Sequence, residues 1–433
     1  MKKVNDIHNT RLHHQANQSY FPWLYTLCLM LSLALPASAK ETVIHAGHLL
    51  AVPGKPIQEK VSLITENGLI KAIKKGFVDG ETVIDLSDSY VLPGLIDMHA
   101  HIASSISEEE KYPRMKMLDV HTANKSALAL KAIPYIRQTL RAGFTTVRGL
   151  GDPGGVIFDL RNAVNQGIID GPRIIAAQTQ ISVTNGEYDP ARLGVRPNVE
   201  NTFDNSGLCD GPYACRRTVR RLVAEGADVI KLRIAGNGAI FNHSNVFEYE
   251  DEIEAVINTA HRLGRRVAVH VASEKAAIMV LKAGADTIEH GPLPREGFKL
   301  AKKAYFTPTL LVQKENKDTI LKFSGRDIYS SALKTVGEAY RAGVPILFGS
   351  DSGAIPHSEA AKEFGLLVEA GLSNEDAIKA ATVTASEALG LSQMIGTLEP
   401  GKAADIIATT ENPLTNINTL EQVAFVMKGG KVF

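Results

Sequence analysis

The sequence predicts an α/β chain: a (β/α)8 TIM barrel inserted in a small β-sandwich domain that both chain ends form. Three observations carry that prediction. Eight short apolar strands, each followed by a helix or by a loop and a helix, fill the middle of the chain. Short β segments with turn signals, uninterrupted by any helix-period run, occupy both ends. The metal-competent side chains fall at the C-terminal ends of the barrel strands, the face on which such barrels carry chemistry. The expected division is a signal peptide over 1–39, β-domain halves over 40–92 and 394–433, and the barrel over 93–393.

At 433 residues and 44% hydrophobic, the chain is ample for a core of this size. Its 47 Lys and Arg balance 47 Asp and Glu, so charge suggests no nucleic-acid partner. At the start, Lys2, Lys3 and Arg11 precede the apolar run Leu24–Leu35, and Ala37-Ser38-Ala39 is a small-residue cleavage site. We therefore expect cleavage near Ala39 and a periplasmic or secreted mature protein. The apolar run is short, so no stable membrane insertion is expected after cleavage. Export leaves Cys209 and Cys215, in CDGPYAC, as the cysteines of the mature chain. A local disulfide and two free thiols are both open, because sequence does not fix the Cα separation.

From Thr42 the chain reads as strands: Thr42–Val52, Val61–Thr65, the hairpin signal Asn67-Gly68, Leu69–Lys74 and Glu81–Leu86. ADIIATT and QVAFVMKGGKVF near the C-terminus read the same way, and neither set buries much alone. The barrel strands are expected at Leu95–His99, Thr145–Arg148, Arg173–Ala177, Val229–Leu232, Val267–His270, Thr287–His290, Tyr305–Thr309 and Ile346–Ser350. Between them lie helix-period runs such as Ser126–Ala142, Val156–Gln166, Arg216–Glu225, Glu250–Leu263 and Ser273–Ala283, several stopped by glycine. Two long connections, Ile102–Lys125 and Gln178–Gly211, leave the catalytic face and suit binding loops.

In YVLPGLIDMHAHI, His99 and His101 sit two apart at a strand end, so both imidazoles can turn to one side. That pair alone is weak evidence. Lys231 in DVIKLRI, His270 in VAVHVAS, His290 in TIEHG and Asp351 in LFGSDSG then fall on the same rim. Imidazole and carboxylate are the donors expected for zinc and its neighbours. Four histidines, a lysine and an aspartate at five strand ends are a strong signal for a metal site.

These residues carry a family resemblance. The chain resembles the amidohydrolase superfamily, and within it an exported, imidazolonepropionase-like branch of Xaa-Pro and Xaa-Arg/Lys dipeptidases and ochratoxinase-like enzymes. VLPGLIDMHAHI, FTTVRGLGDPGG, AHRLGRRVAVHVAS, AGADTIEHG, ILFGSDSG and IGTLEPGKAADIIA are among the matching pieces, and the resemblance as a whole covers Thr42 to Phe433. The resemblance implies two divalent ions, zinc foremost: His99, His101 and Asp351 on one, His270 and His290 on the other. Lys231 would lie between them as a carboxylated lysine (N6-carboxylysine). It also implies Asp351 as the acid-base group that moves a proton from water to the leaving amine. Gly149 stands where relatives often have aspartate, and Asn185-Gly186-Glu187 where they often have Gly-Gly-His, so specificity does not carry over directly.

The expected function is a metal-dependent hydrolase of C–N bonds acting on a dipeptide or another small molecule. Metal ions would lower the pKa of a bridging water and polarise the scissile carbonyl. Alternatives are a non-peptide amide (an N-acyl amino acid or an ochratoxin-like toxin) or a cyclic amide or imide. A metal-binding module without activity is the reading from another class, and the full ligand set argues against it. For substrate binding the sequence offers Glu187, Arg233, His243 and Tyr249, with Arg192 and Arg196 in the long third loop. Glu187 would select a cationic side chain. A homo-oligomer is left open.

Overall fold

The computed structural model describes residues 41–103, 123–186, 189, 206–234 and 249–433. The expected signal peptide lies outside these residues. Four strands from the N-terminal part, β1 (Glu41–Leu49), β2 (Gln58–Glu66), β3 (Leu69–Lys75) and β4 (Thr82–Pro93), join three from the C-terminal part, β12 (Ile406–Thr409), β13 (Phe425–Lys428) and β14 (Lys431–Val432). They form one seven-stranded sheet, in the order β14-β13-β12-β4-β1-β2-β3. The chain ends meet where β12 runs antiparallel to β4, with Ile406 opposite Pro93 and Thr409 opposite Tyr90. That partner explains why β4 continues to Pro93 rather than stopping at Leu86. The hairpin signal is met: Glu66 pairs with Leu69, and Asn67 and Gly68 have φ of 53° and 78°, as a two-residue turn of this hand requires. Ile44, Leu49, Leu63, Ile406 and Met427 fill the core under the sheet.

The middle of the chain is α/β with parallel strands. β5 (Leu95–Ala100), β6 (Phe144–Leu150) and β7 (Arg173–Ala177) make one sheet. β8 (Val229–Ile234), β9 (Arg266–Val271), β10 (Thr287–Glu289) and β11 (Tyr305–Thr307) make another. Helices Lys125–Arg141, Val156–Asn165, Pro212–Glu225, Glu250–Arg262 and Glu274–Ala283 lie between them in sequence. Every residue of β5 and β6 is buried, as in parallel strands covered on both faces. Gly226 and Gly284 end their helices in the left-handed conformation.

Backbone bonds link the two sheets. Ile181, just past β7, donates to Lys231 (2.8 Å) and accepts from Arg233 (2.9 Å). On the other side, Leu347 donates to Phe306 (2.8 Å) and Met98 donates to Phe348 (3.0 Å). The strand expected over Ile346–Ser350 is nevertheless not a ladder strand; its one bridge joins Ile346 to Phe306. The Phe348 N–H turns to the carbonyl of Ala380 (3.0 Å), at the end of helix Asn374–Ala380. A helix end thus takes the bond that a neighbouring strand would have used.

Cys209 and Cys215 are joined in a disulfide, which resolves the alternative left open by sequence. Arg173, at the start of β7, pairs with Asp405 beside β12 at 2.7 Å. Lys428 donates to the Gly171 carbonyl at 2.8 Å.

Candidate metal centre

The six residues singled out at strand ends converge. His99 is buried in β5, and His101 follows it. Gly349 lets the backbone before Asp351 pass close to the first of them, since a Cβ there would lie 2.9 Å from the His99 Cβ. Asp351 Oδ1 stands 3.1 Å from His101 Nε2 and 3.7 Å from His99 Nε2. The His290 ring centroid is 4.6 Å from that of His99 and 4.4 Å from that of His270. Donor atoms of His99, His290 and Asp351 all lie within 4.8 Å of one another. Lys231, from β8, is 1% exposed, and its Nζ has no hydrogen-bond partner among the described residues.

The histidines are oriented from behind. His99 Nδ1 meets Glu289 Oε2 at 2.7 Å, and His101 Nδ1 meets the Gly151 carbonyl at 3.2 Å. His290 Nδ1 meets Thr309 Oγ1 at 2.7 Å. The carboxylate on His99 Nδ1 calls for a proton there, which leaves the His99 Nε2 lone pair facing the cluster, whereas His101 sets both ring nitrogens on acceptors, the Gly151 carbonyl and Asp351. Glu289 also accepts from Arg148 at 2.8 Å and from the Thr287 hydroxyl. The backbone is strained at the same place: His290, Thr309 and Asp351 have φ of 68°, 48° and 59°. Left-handed backbone is costly for residues other than glycine, and it gathers at functional sites.

Burial sets the charge states. It pushes the His99 imidazole down to about 4, with the Lys231 charge acting the same way. His270 and His290 are also driven well below the ordinary histidine value, chiefly by burial. The Lys231 ammonium is pushed down to about 7 by burial. For Asp351, burial acts upward, but the charge of His99 and the bond from His101 outweigh it and hold the carboxyl far below its usual range. For His101 burial acts downward, but the bond to Asp351 and its charge outweigh it and raise the imidazole. Neutral imidazoles at His99, His270 and His290, an amine that gives up its proton near neutrality, and a carboxylate at Asp351 are the states in which these groups donate to a cation.

A cavity of about 740 Å³ opens from His101, His270, His290 and Asp351. Of the expected substrate-binding residues, Arg233 lines it and donates to Gln180 at 3.3 Å. Tyr249 is not among the described lining residues. It is 73% exposed at the N-terminus of helix Glu250–Arg262, its backbone N–H bonded to Glu252. Glu187, His243, Arg192 and Arg196 lie outside the described residues. The far wall was missed by sequence reasoning: Val312, Gln313, Ile320 and Ile328 come from helices after β11, and Arg326 from the turn between two of them, none of which carries a motif. Glu289 and Arg148 were missed as well. Their signal was a charge within a short apolar strand, TIEHG and TVRGL.

The family description "Amidohydrolase family" matches residues 90–433. The chain belongs to the amidohydrolase family. Among relatives of this amidohydrolase, the Aspergillus niger ochratoxinase is 28% identical over 444 residues, which cover 93% of this chain and 88% of that protein. The Porphyromonas gingivalis imidazolonepropionase is 21% identical over 404 residues, covering 86% and 87% of the two chains. The crystal structure of a Xaa-Pro dipeptidase with methionine in its active site superposes with a TM-score of 0.83 at 33% identity. It covers 91% of this chain and all of its own. The protein is accordingly a hydrolase acting on C–N bonds.

Amidohydrolases generally bind divalent metals, and the residues present fit such ions. The His99, His101 and His290 rings are held with Nε2 toward the cluster, Asp351 is an anion, and the buried Lys231 amine has no hydrogen-bond partner among the described residues. A buried amine of that kind is costly unless something else completes its surroundings.

Proposed function

We propose that this amidohydrolase is an exported two-zinc enzyme that cleaves the amide bond of small substrates, a dipeptidase in the first place. The observation that carries the reading is the convergence of oriented imidazoles on Asp351 beside the buried amine of Lys231, which has no hydrogen-bond partner among the described residues. His99, His101 and Asp351 would hold one ion and His270 and His290 the other. The neutral Lys231 amine would add to carbon dioxide and lose a proton, and as a carbamate Lys231 would help to hold the ions. When bound, the ions supply an acidified water and a polarised scissile carbonyl. Asp351 would accept a proton from the attacking water and deliver it to the leaving amine, a role open to a carboxylate within hydrogen-bond reach. Arg233 offers a cation at the cavity wall for a substrate carboxylate.

The cavity wall favours an apolar substrate group. Val271, Pro292, Phe306, Val312, Ile320 and Ile328 line it, and such surface rewards burial of an aliphatic or aromatic side chain. The same wall supports the second reading, hydrolysis of an N-acyl amino acid or ochratoxin-like amide, since ochratoxinase is a relative. We further read the two parallel sheets and the extended segment at Ile346 as one closed (β/α)8 barrel over 93–393. The terminal sheet would be a β-sandwich domain of 40–92 and 394–433. Export over 1–39 is supported by the leader pattern and by the disulfide, which suits an oxidising compartment.

Purified mature protein, supplied with Zn2+ and bicarbonate, is expected to hold about two ions per chain. It should release amine from a panel of dipeptides, fastest from those with apolar side chains. Elemental analysis and amine detection are the measurements. One ion with full activity would defeat the two-zinc reading, and cleavage of N-acyl amino acids alone would favour the second.

A further inference from the structure

Two buried charged side chains stand behind the cluster without belonging to its donor set. Glu289 and Arg148 are 0% and 2% exposed, and they pair at 2.8 Å. Glu289 uses its other oxygen on His99 Nδ1 at 2.7 Å. Arg148 donates from Nε to the carbonyl of Met98, the residue before His99, at 2.6 Å, and from Nη1 to Thr287 at 3.1 Å. The pair therefore grips His99 through both its ring and its backbone neighbour, and it ties β5, β6 and β10 together. Desolvating two charges costs several kcal/mol per ion, and apolar residues of the same volume often stabilise a fold as well. Stability alone is thus a poor account of the pair. His101 and His290 have no such partner, for their Nδ1 atoms meet a carbonyl and a hydroxyl. An anionic partner fixes the tautomer and makes the ligating nitrogen more basic.

We propose that Glu289, supported by Arg148, is a positioning residue that selectively strengthens the ion site containing His99. The proposal rests on the metal reading above. Metal-free wild type and variants are titrated with Zn2+ in bicarbonate buffer against a chromophoric chelator, and bound ions are counted. Glu289→Gln keeps the side-chain outline and is expected to weaken one ion by about 10–100-fold, leaving the other unchanged. Arg148→Lys keeps the charge and should retain most of the affinity, whereas Arg148→Gln should copy Glu289→Gln. Thermal unfolding of each metal-free variant separates loss of affinity from loss of fold. Thr309→Val is the mirror control, expected to weaken the ion at His290 instead. Unchanged affinities in Glu289→Gln, or equal weakening of both ions, overturn the proposal. A wild type that binds a single ion defeats the two-ion reading only, and the proposal then stands or falls on whether Glu289→Gln weakens that ion. A wild type that binds none overturns both.

Discussion

Lys231 sits between Ile230 and Leu232 in a strand where an ammonium has no structural use, and burial pushes its pKa down to about 7. A neutral amine at that position is what carboxylation needs. Lys231→Ala is therefore expected to lose the paired ions and to reduce turnover by more than the 10–100-fold, on the order of magnitude, that follows from losing a ligand's hydrogen-bond partner. Short carboxylic acids should restore part of both, because a carboxylate can enter the vacated space as a bridge. Normal ion content and turnover in the variant would return Lys231 to a packing role. At this scale the convergence of the six residues was legible because strand ends on one rim are marked in sequence by His, Lys and Asp after apolar runs. The residues behind it were not read, since the charge that Glu289 and Arg148 each place in an apolar strand gains a meaning only from their contact across 141 residues of chain. Arg233 was legible only as a cation following the fourth barrel strand, able to meet a substrate carboxylate.

Helix Leu310–Glu315 shows how an element is held by a distant one. It starts after Thr309 in left-handed backbone and has no cap of its own. Glu363, buried in helix Lys362–Glu369, supplies one, accepting from the N–H groups of Leu310 (2.9 Å) and Leu311 (2.7 Å). This helix brings Val312 and Gln313 to the cavity, and the residue before it holds His290. Burial pushes the Glu363 carboxyl up to about 8 against those two bonds. A folded-state pKa above the unfolded one means that the folded chain holds the extra proton. Its stabilising contribution is full below the unfolded value near 4.5 and is lost as pH rises through about 8. The slope is at most about 1.4 kcal/mol per pH unit for one proton. Glu363→Gln should flatten that part of the profile, read as urea midpoints between about pH 5 and pH 9. Identical slopes in both proteins would mean that Glu363 is ionised throughout. Sequence gave no hint of this cap, because the partners are 52 and 53 residues apart. The segment at Ile346 was misread as a strand for a related reason: its composition fits a strand, and only the position of Ala380 diverts its N–H.

For the whole molecule, the joining of the two chain ends was legible because neither set of short strands can bury a core alone. Their order was not, since β12 lies beside β4 through a register that no local pattern encodes. The seam between this sheet and the parallel strands is polar. Asp405 is 4% exposed and accepts from Arg173 at 2.7 Å and from the Gly429 N–H at 2.8 Å, while its backbone carbonyl takes the Gly94 N–H at 2.9 Å. One side chain therefore ties the β13–β14 turn to β7, and its backbone also ties in the entry to β5. Replacing Arg173 by Leu removes the direct ion-pair partner of the buried Asp405, a loss that typically costs about 3–5 kcal/mol, while Lys428 and the Gly429 N–H still face the carboxylate. Because the Arg173 side chain is 22% exposed, water can answer part of that charge, and the loss is expected at the low end, about 3 kcal/mol. Urea unfolding followed by far-UV circular dichroism should show the midpoint fall by that amount. The ion content of the folded variant should stay at the wild-type value, because none of the cluster's hydrogen bonds described above passes through Arg173. A variant that keeps its midpoint would make the seam dispensable. One that loses its ions before it unfolds would show instead that the terminal sheet holds the site in shape.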